Sequence, residues 1–132
     1  MKRTCLVVAL CLRLSGASAG IYSGGSGTAA DPYRIGTVDD WRELIPASDD
    51  RDKHFILIAD FDLGGISDPM ITSFSGVLDG QGHVLRNAIL TPPSPYFAGL
   101  FQMIVSPGQI RNLGIENIQF TEGRKLLAVC VG

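Results

Sequence analysis

Aspartates and histidines are the residues of this sequence whose chemistry could support metal binding or proton transfer. Asp60 and Asp62 alternate with apolar residues in an extended stretch, so both side chains lie on one face. Their carboxylates would be about 7 Å apart along the strand, close enough to hold one cation. Asp79 is a third carboxylate on a strand, and His54 and His83 are the only histidines.

A structural role explains the same residues. Asp79 precedes a glycine, as turn-forming aspartates do, and Asp60 and Asp62 form the polar half of an alternating strand. Neither histidine has a partner at a diagnostic spacing, and motifs for a serine nucleophile, a phosphate-binding loop or a zinc site are missing. The sequence therefore predicts no catalytic residues and no cofactor, with Asp60 and Asp62 as weak candidates for a metal.

The segment 1–19 has the pattern of a secretory signal peptide. Lys2 and Arg3 precede the apolar run 6–12, and 17–19 read Ala-Ser-Ala, which predicts cleavage near Ala19. Removal of this leader takes three of the 11 basic residues and shifts the formal net charge from -2 to -5. An acidic chain does not suit nucleic acid binding, and no run of about 20 apolar residues predicts a membrane span.

Cleavage also leaves Cys130 as the single cysteine, so no internal disulfide can form in the mature chain. Cys130 lies in an apolar run, which favours a small buried side chain over a nucleophile. We therefore expect packing alone to hold the fold together.

Residues 20–53 are expected to form an N-terminal cap. A Gly/Ser-rich segment is followed by a short strand over 33–35, and Thr37 is placed as the N-cap of a short helix over 38–45, with Asp40 three positions later. Pro46 ends this helix. The acidic loop that follows, at 48–53, is interpreted as a solvated turn.

Residues 54–132 are expected to consist of short strands separated by glycine turns. The predicted strands are 54–59, continued by alternation to 63, then 74–78, 83–90 and 98–105, and a pair over 109–120 around Asn117, with a proline-rich loop over 91–95.

A sequence unit recurs among these strands. The first copy, at 84–90, reads Val-Leu-Arg-Asn-Ala-Ile-Leu, and the second, at 109–115, reads Gln-Ile-Arg-Asn-Leu-Gly-Ile. The spacing of the two copies is typical of a solenoid and matches one rung of a parallel β-helix. Asparagine tolerates the left-handed conformation at a bend, so Asn87 and Asn112 are predicted to stack about 4.8 Å apart as a structural ladder. Arg86 and Arg111 would then point outwards to solvent.

The ordered series of segments across residues 22–120 resembles the start of GLUG-repeat-type bacterial secreted proteins. The segments that carry the resemblance are 22–35, 37–44, 53–63, 74–83, 99–101 and 110–115. The resemblance implies an all-β fold, a right-handed parallel β-helix of the pectate-lyase-like superfamily with a short N-terminal capping helix. It implies no defined reaction.

The last residues, 127–132, look like the opening of one more rung. We therefore expect β-helix rungs that are incomplete at the C-terminus, in a truncated chain or a fragment. A rung that ends there would leave an apolar strand edge through which the chain could associate with itself.

Two functional classes follow. The first is a secreted or cell-surface structural and interaction module without catalytic activity, a fragment of a larger adhesin-like repeat protein whose partner is a surface glycan or a protein. The alternative is a fragment of a carbohydrate-active β-helix enzyme such as a polysaccharide lyase, in which carboxylates hold calcium and a basic residue takes the proton.

Overall fold

The fold is known from a computed structural model, which describes residues 22–91 and 99–121 in full and the backbone of 125–131. The leader at 1–19, its cleavage site, most of the proline-rich loop and the side chain of Cys130 lie outside the described residues. In the part of the chain that is described, no helix has the length and apolar character that a bilayer crossing requires.

The described chain is mostly β, with one short α-helix. The helix α1 spans Val38–Leu44, and a 3-10 turn follows at Ser48–Asp50. The strands are β1 (Tyr33–Ile35), β2 (His54–Leu57), β3 (Phe61–Asp62), β4 (Val77–Asp79), β5 (Val84–Arg86), β6 (Ile89–Leu90), β7 (Gln109–Arg111), β8 (Leu113–Phe120) and β9 (Lys125–Val131).

The sequence accounts for the start of α1. Thr37 has extended backbone and accepts a hydrogen bond from the Asp40 N–H at 3.2 Å, while the Asp40 carboxylate accepts one from the Thr37 N–H at 3.3 Å. This reciprocal pair is a capping box and confirms Thr37 as the N-cap. The helix buries Trp41 and Leu44 completely.

The strands form two sheets that are parallel except for β9. The first sheet has the order β1-β2-β4-β7, so the predicted cap contributes its edge strand β1. The second sheet has the order β3-β5-β8-β6, with β9 antiparallel to β8. Two parallel bridges, Ile71 to Phe101 and Phe74 to Ile104, add a third line of contact between successive segments.

We call each progression of the chain through the first and then the second sheet a pass. On successive passes of the first sheet, Tyr33 stacks on Phe55, His54 on Val77, and Val77 on Gln109. The last of these steps is much longer in sequence than the first two. The number of residues per pass therefore varies, although the strands keep a regular register.

Apolar side chains from both sheets fill the space between them. Along β2 and β4, Phe55, Leu57 and Leu78 alternate inwards and are almost fully buried. The ring centroids of Phe55 and Phe74 lie 6.0 Å apart, and those of Phe74 and Phe101 lie 5.5 Å apart. Aromatic contacts thus continue from one pass to the next.

The predicted strand assignments from residue 98 onwards need correction, because the described part of 98–105 forms only the isolated bridges at Phe101 and Ile104. The break in 109–120 falls at Asn112, between β7 and β8, although Asn117 also has a left-handed φ of 54° within β8. The segment that was expected to open another rung is β9, which returns antiparallel along β8. This antiparallel pairing covers one edge of β8.

Candidate functional site

Polar side chains from three passes meet on the outer face of the second sheet. They form what we call the outer cluster: Asp60, Asp62, His83, Arg86, Asn87, Glu116 and Asn117. Alternation places the first two there, because Leu63 points inwards and is fully buried while Asp60 and Asp62 are exposed.

Asp60 accepts hydrogen bonds from the following pass. Its Oδ1 atom lies 2.9 Å from the Val84 N–H nitrogen and 2.9 Å from Nδ1 of His83, and its Oδ2 atom is 3.7 Å from Arg86. The backbone bond from Val84, followed by the His83 contact, lowers the pKa of Asp60 below its ordinary value. This carboxylate joins two neighbouring passes.

Asp62 begins a chain of amide contacts that crosses three passes. Its Oδ1 accepts from the Gly64 N–H at 2.7 Å and its Oδ2 from Asn87 Nδ2 at 2.6 Å, and these two bonds lower the pKa of Asp62. Asn87 Oδ1 in turn accepts from Asn117 Nδ2 at 2.7 Å. The residues Asp62, Asn87 and Asn117 therefore form a side-chain ladder along the stack.

The predicted stacking of Asn87 on Asn112 is wrong, although both have left-handed backbone, with φ of 63° and 53°. Asn112 donates instead to Asp79 Oδ1 at 3.1 Å. The reason is register: Asn87 follows β5 in the second sheet, whereas Asn112 follows β7 in the first. The repeated sequence marks two different bends.

The arginines of the repeat lie on these two sheets as well. Arg86 is 3.0 Å from Glu116, and Arg111 is 3.4 Å from Asp79, with 42% and 49% of the arginine side chains exposed. Both are half in solvent, as expected, but they do not stack on each other. Exposed ion pairs of this kind stabilise a fold by about 0 to 1 kcal/mol each.

The candidate metal ligands face protein donors. Three of the four oxygens of Asp60 and Asp62 accept hydrogen bonds, and the fourth faces Arg86. In residues 22–91 and 99–121, no group of three or more His, Cys, Asp or Glu side chains is arranged to hold a metal ion. Asp79 belongs to the other bend, and His54 is not part of the outer cluster.

A cleft of about 590 Å³ lies beside the two bends that follow β4 and β7, and we call it the bend cleft. It is lined by Asp79, Gln81, Gly82, Val84, Asn112, Leu113 and Gly114. Burial acts to raise the pKa of Asp79, but hydrogen bonds from the Gln81 N–H and Asn112, with the Arg111 charge, leave that pKa lowered overall.

The sequence did not reveal the contact between His83 and Asp60, because the two residues are far apart along the chain and meet only when strands stack in register. The only signal in the sequence was that Asp60 and His83 are separated along the chain by about the length of one pass. Likewise, the ladder partner of Asn87 is Asn117, which lies outside the second copy of the sequence repeat.

Comparison with known proteins gives two matches. The chain is 33% identical over 121 residues to Halomucin of Haloquadratum walsbyi, covering 85% of this chain and 1% of that protein. It is 27% identical over 118 residues to a protein of Evansella cellulosilytica with the name "Putative Gly-rich membrane protein", covering 80% of this chain and 13% of the relative. No protein-family model matches the chain. No solved structure matches it either.

Proposed function

We propose that this chain is a right-handed parallel β-helix of the GLUG-repeat type that acts as a secreted or cell-surface structural and interaction module without catalytic activity. In this proposal it is a segment of a larger, adhesin-like repeat protein, and its outward side chains contact a surface glycan or a protein.

The strand registers support the coiled architecture. Parallel pairs repeat in both sheets, and the bridges from Ile71 to Phe101 and from Phe74 to Ile104 give a third parallel line. A chain that advances through the same three lines on each pass builds a solenoid. Parallel crossovers are right-handed in about 98% of cases, which favours the right-handed coil.

The proposal of a non-catalytic role rests on the hydrogen bonds that the residues of the outer cluster make with one another and with the neighbouring strands. Asp60 and Asp62 accept hydrogen bonds from the next pass, and Asn87 connects Asp62 to Asn117. A general acid or base must have a proton-transfer atom within reach of its substrate. Groups whose donors and acceptors face one another across strands stabilise the stack instead.

The two relatives are consistent with a module. The chain spans 1% and 13% of their lengths, so in each relative the similar region is a small part of a long protein. The leader pattern at 1–19 supports export, and the name of the second relative supports a position at a membrane surface.

One observation favours the lyase alternative. His83 and Arg86 place two basic side chains next to Asp60, and a lyase needs a base beside carboxylates that hold calcium. The occupied oxygens of Asp60 and Asp62 weigh against a calcium site there.

The test has two arms. The full chain is incubated with polygalacturonate and calcium, and ultraviolet absorbance of unsaturated product is followed with and without chelator. Retention of the labelled chain on glycan-bearing cells is then measured with a heat-unfolded sample as control. The proposal expects retention without unsaturated product, and product formation that requires calcium would replace it with the lyase.

A further inference from the structure

The bend cleft arises because two successive bends differ in length. After β4 the chain turns through Gly80, Gln81 and Gly82 to His83, whereas after β7 it turns at Asn112 alone. The longer bend extends beyond the shorter one that stacks on it. The Gly82 N–H of the longer bend donates to the Asn112 carbonyl of the shorter bend at 2.8 Å. The cleft follows from this step in the stack.

The cleft has a polar rim with unused hydrogen-bonding atoms. Among the described residues, the exposed side-chain amide of Gln81 makes no hydrogen bond, and Asn112 uses only Nδ2, which leaves its Oδ1 as an acceptor. Asp79 also lies on the rim, but Arg111 is 3.4 Å from its Oδ2 and balances its charge. The rim is therefore polar and close to neutral.

The remaining surface is apolar and largely free of side chains. Val84 is half-buried and lies against Gly114, where a Cβ atom would meet the Val84 Cγ2 atom at 3.0 Å, and Gly82 lines the cleft without a side chain. A Cβ atom at Gly82 would have no neighbour within 4 Å, so the space next to this glycine is open.

We propose that the bend cleft binds a neutral pyranose unit of a glycan. The apolar face of a sugar ring fits against Val84 and the glycine backbone, and its hydroxyls can donate to Asn112 Oδ1 and exchange hydrogen bonds with the Gln81 amide. This inference rests on the proposed interaction role and names the ligand class and the site.

Other ligand classes fit less well. A cation would compete with the two donors that already bond Asp79 Oδ1, from Gln81 and Asn112. An acidic sugar would place its carboxylate beside that of Asp79, and the Arg111 side chain next to Asp79 is already paired with it. A wholly apolar ligand would leave the amides of the rim without partners.

The test is a titration of the ¹⁵N-labelled full chain with the methyl α-D-pyranosides of glucose, galactose and mannose, and separately with galacturonate. We expect saturable shifts of the Gln81, Gly82 and Gly114 amide signals with at least one neutral sugar. Galacturonate should bind more weakly than methyl galactoside.

The variant Gln81→Gly removes the rim amide at a position with a φ of 51°, which glycine adopts without strain, so folding should persist. It should weaken sugar binding about fivefold, as expected for one neutral hydrogen bond. Gln119→Ala, an exposed glutamine on the second sheet, is the matched control and should bind as the parent does.

The inference would be overturned if no neutral sugar shifted the amide signals of the cleft residues. It would also be overturned if Gln81→Gly bound the sugar with unchanged affinity, or if the chain bound galacturonate more tightly than the neutral sugars. Cell retention measured on the same samples separates the two proposals. Retention without cleft binding would reject the pyranose site alone, whereas loss of retention would reject the interaction role.

Discussion

The two ends of the strand stack are closed in different ways. At the N-terminal end, the Trp41 side chain of α1 is buried in the interior. The outer edge of β1 is also paired, because the Ser23 N–H donates to the Arg34 carbonyl and the Arg34 N–H donates to the Gly24 carbonyl. At the C-terminal end, β9 covers β8, but within the described residues no strand pairs with the outer edge of β7.

Three of the five exposed large apolar side chains of the described residues lie close together before β7. Met103, Ile104 and Val105 lie on the last described segment of the third line of contact, just before β7, and they are 45%, 48% and 41% exposed. At the N-terminal end, side chains of α1 pack over the interior. At the C-terminal end, β9 pairs with the second sheet, and the first sheet has no described strand on the outer edge of β7. Stability should therefore depend far more on the N-terminal end.

The largest expected effect is that of Trp41→Ala. Trp41 is fully buried, its Nε1 donates to the Pro69 carbonyl at 3.0 Å, and its ring packs against Phe61 and Phe101. Truncation of a buried tryptophan costs about 3–5 kcal/mol in the free energy of unfolding, measured by urea denaturation. Met103→Ala should cost under about 0.5 kcal/mol, and equal losses would refute the contrast between the ends.

A neighbouring pair of aspartates tests the same end more finely. Asp40 is 6% exposed and accepts hydrogen bonds from Ser23, the Gly36 N–H and the Thr37 N–H, so Asp40→Ala should cost about 1–3 kcal/mol. Asp39, one position earlier, makes an exposed ion pair with Arg42 and no other side-chain hydrogen bond or ion pair with the residues that the structure describes. Asp39→Ala should change the urea midpoint little; a comparable loss would show that helix charge, rather than the buried contacts, matters.

Between the ends, the asparagine ladder can be tested with glycine variants, because glycine keeps the left-handed bends unstrained. A double-mutant cycle on Asn87→Gly and Asn117→Gly should give a coupling energy of about 0.5–1 kcal/mol. The matched cycle on Asn87→Gly and Asn112→Gly should give none, since their side chains meet different partners. A coupling energy between Asn87 and Asn112 would instead support the predicted stacking of these two side chains on each other.

The aspartates that join successive passes predict a pH dependence. The folded-state pKa values of Asp60, Asp62 and Asp79 lie below the ordinary 3.8. Their contribution is thus present above that value and lost as pH falls through the folded pKa. Urea midpoints should fall below pH 4, and less steeply in Asp62→Asn; a midpoint that rises on acidification would contradict the assignment.

The smallest effect on stability concerns the C-terminal end. Ile104→Lys adds charge to an exposed position and should change the free energy of unfolding by under about 0.5 kcal/mol. If the uncovered edge of β7 mediates self-association, sedimentation velocity should show the parent chain associating at high concentration and the variant remaining monomeric. Ile89→Lys, 44% exposed on the second sheet, is the control.

Sequence patterns predicted local structure better than pairing. The Thr37 cap, the helix from Val38 and the shared outward face of Asp60 and Asp62 are confirmed, because capping chemistry and alternation act over short stretches of chain. The partner of Asn87 was misassigned, because sequence similarity does not specify how long the chain is between two stacked strands.

The outer cluster illustrates the same limit. Asp60 and Asp62 were recognised as outward carboxylates, but their partners lie on the next pass, at His83, Val84 and Asn87. Only the three-dimensional register brings these groups together. This register gives both carboxylates hydrogen-bond donors on or directly after a neighbouring strand.

The variable length of a pass has a practical consequence. The chain between the paired residues Phe61 and Leu85 is shorter than the chain between Ile71 and Phe101, yet the strands stay in register in both cases. Foreign peptides, such as an affinity tag or an epitope, should therefore be accommodated by insertion at a bend between two strands without shifting any neighbouring strand. The molecule would then serve as a scaffold in which inserted peptides can be exchanged without changing the stacked strands.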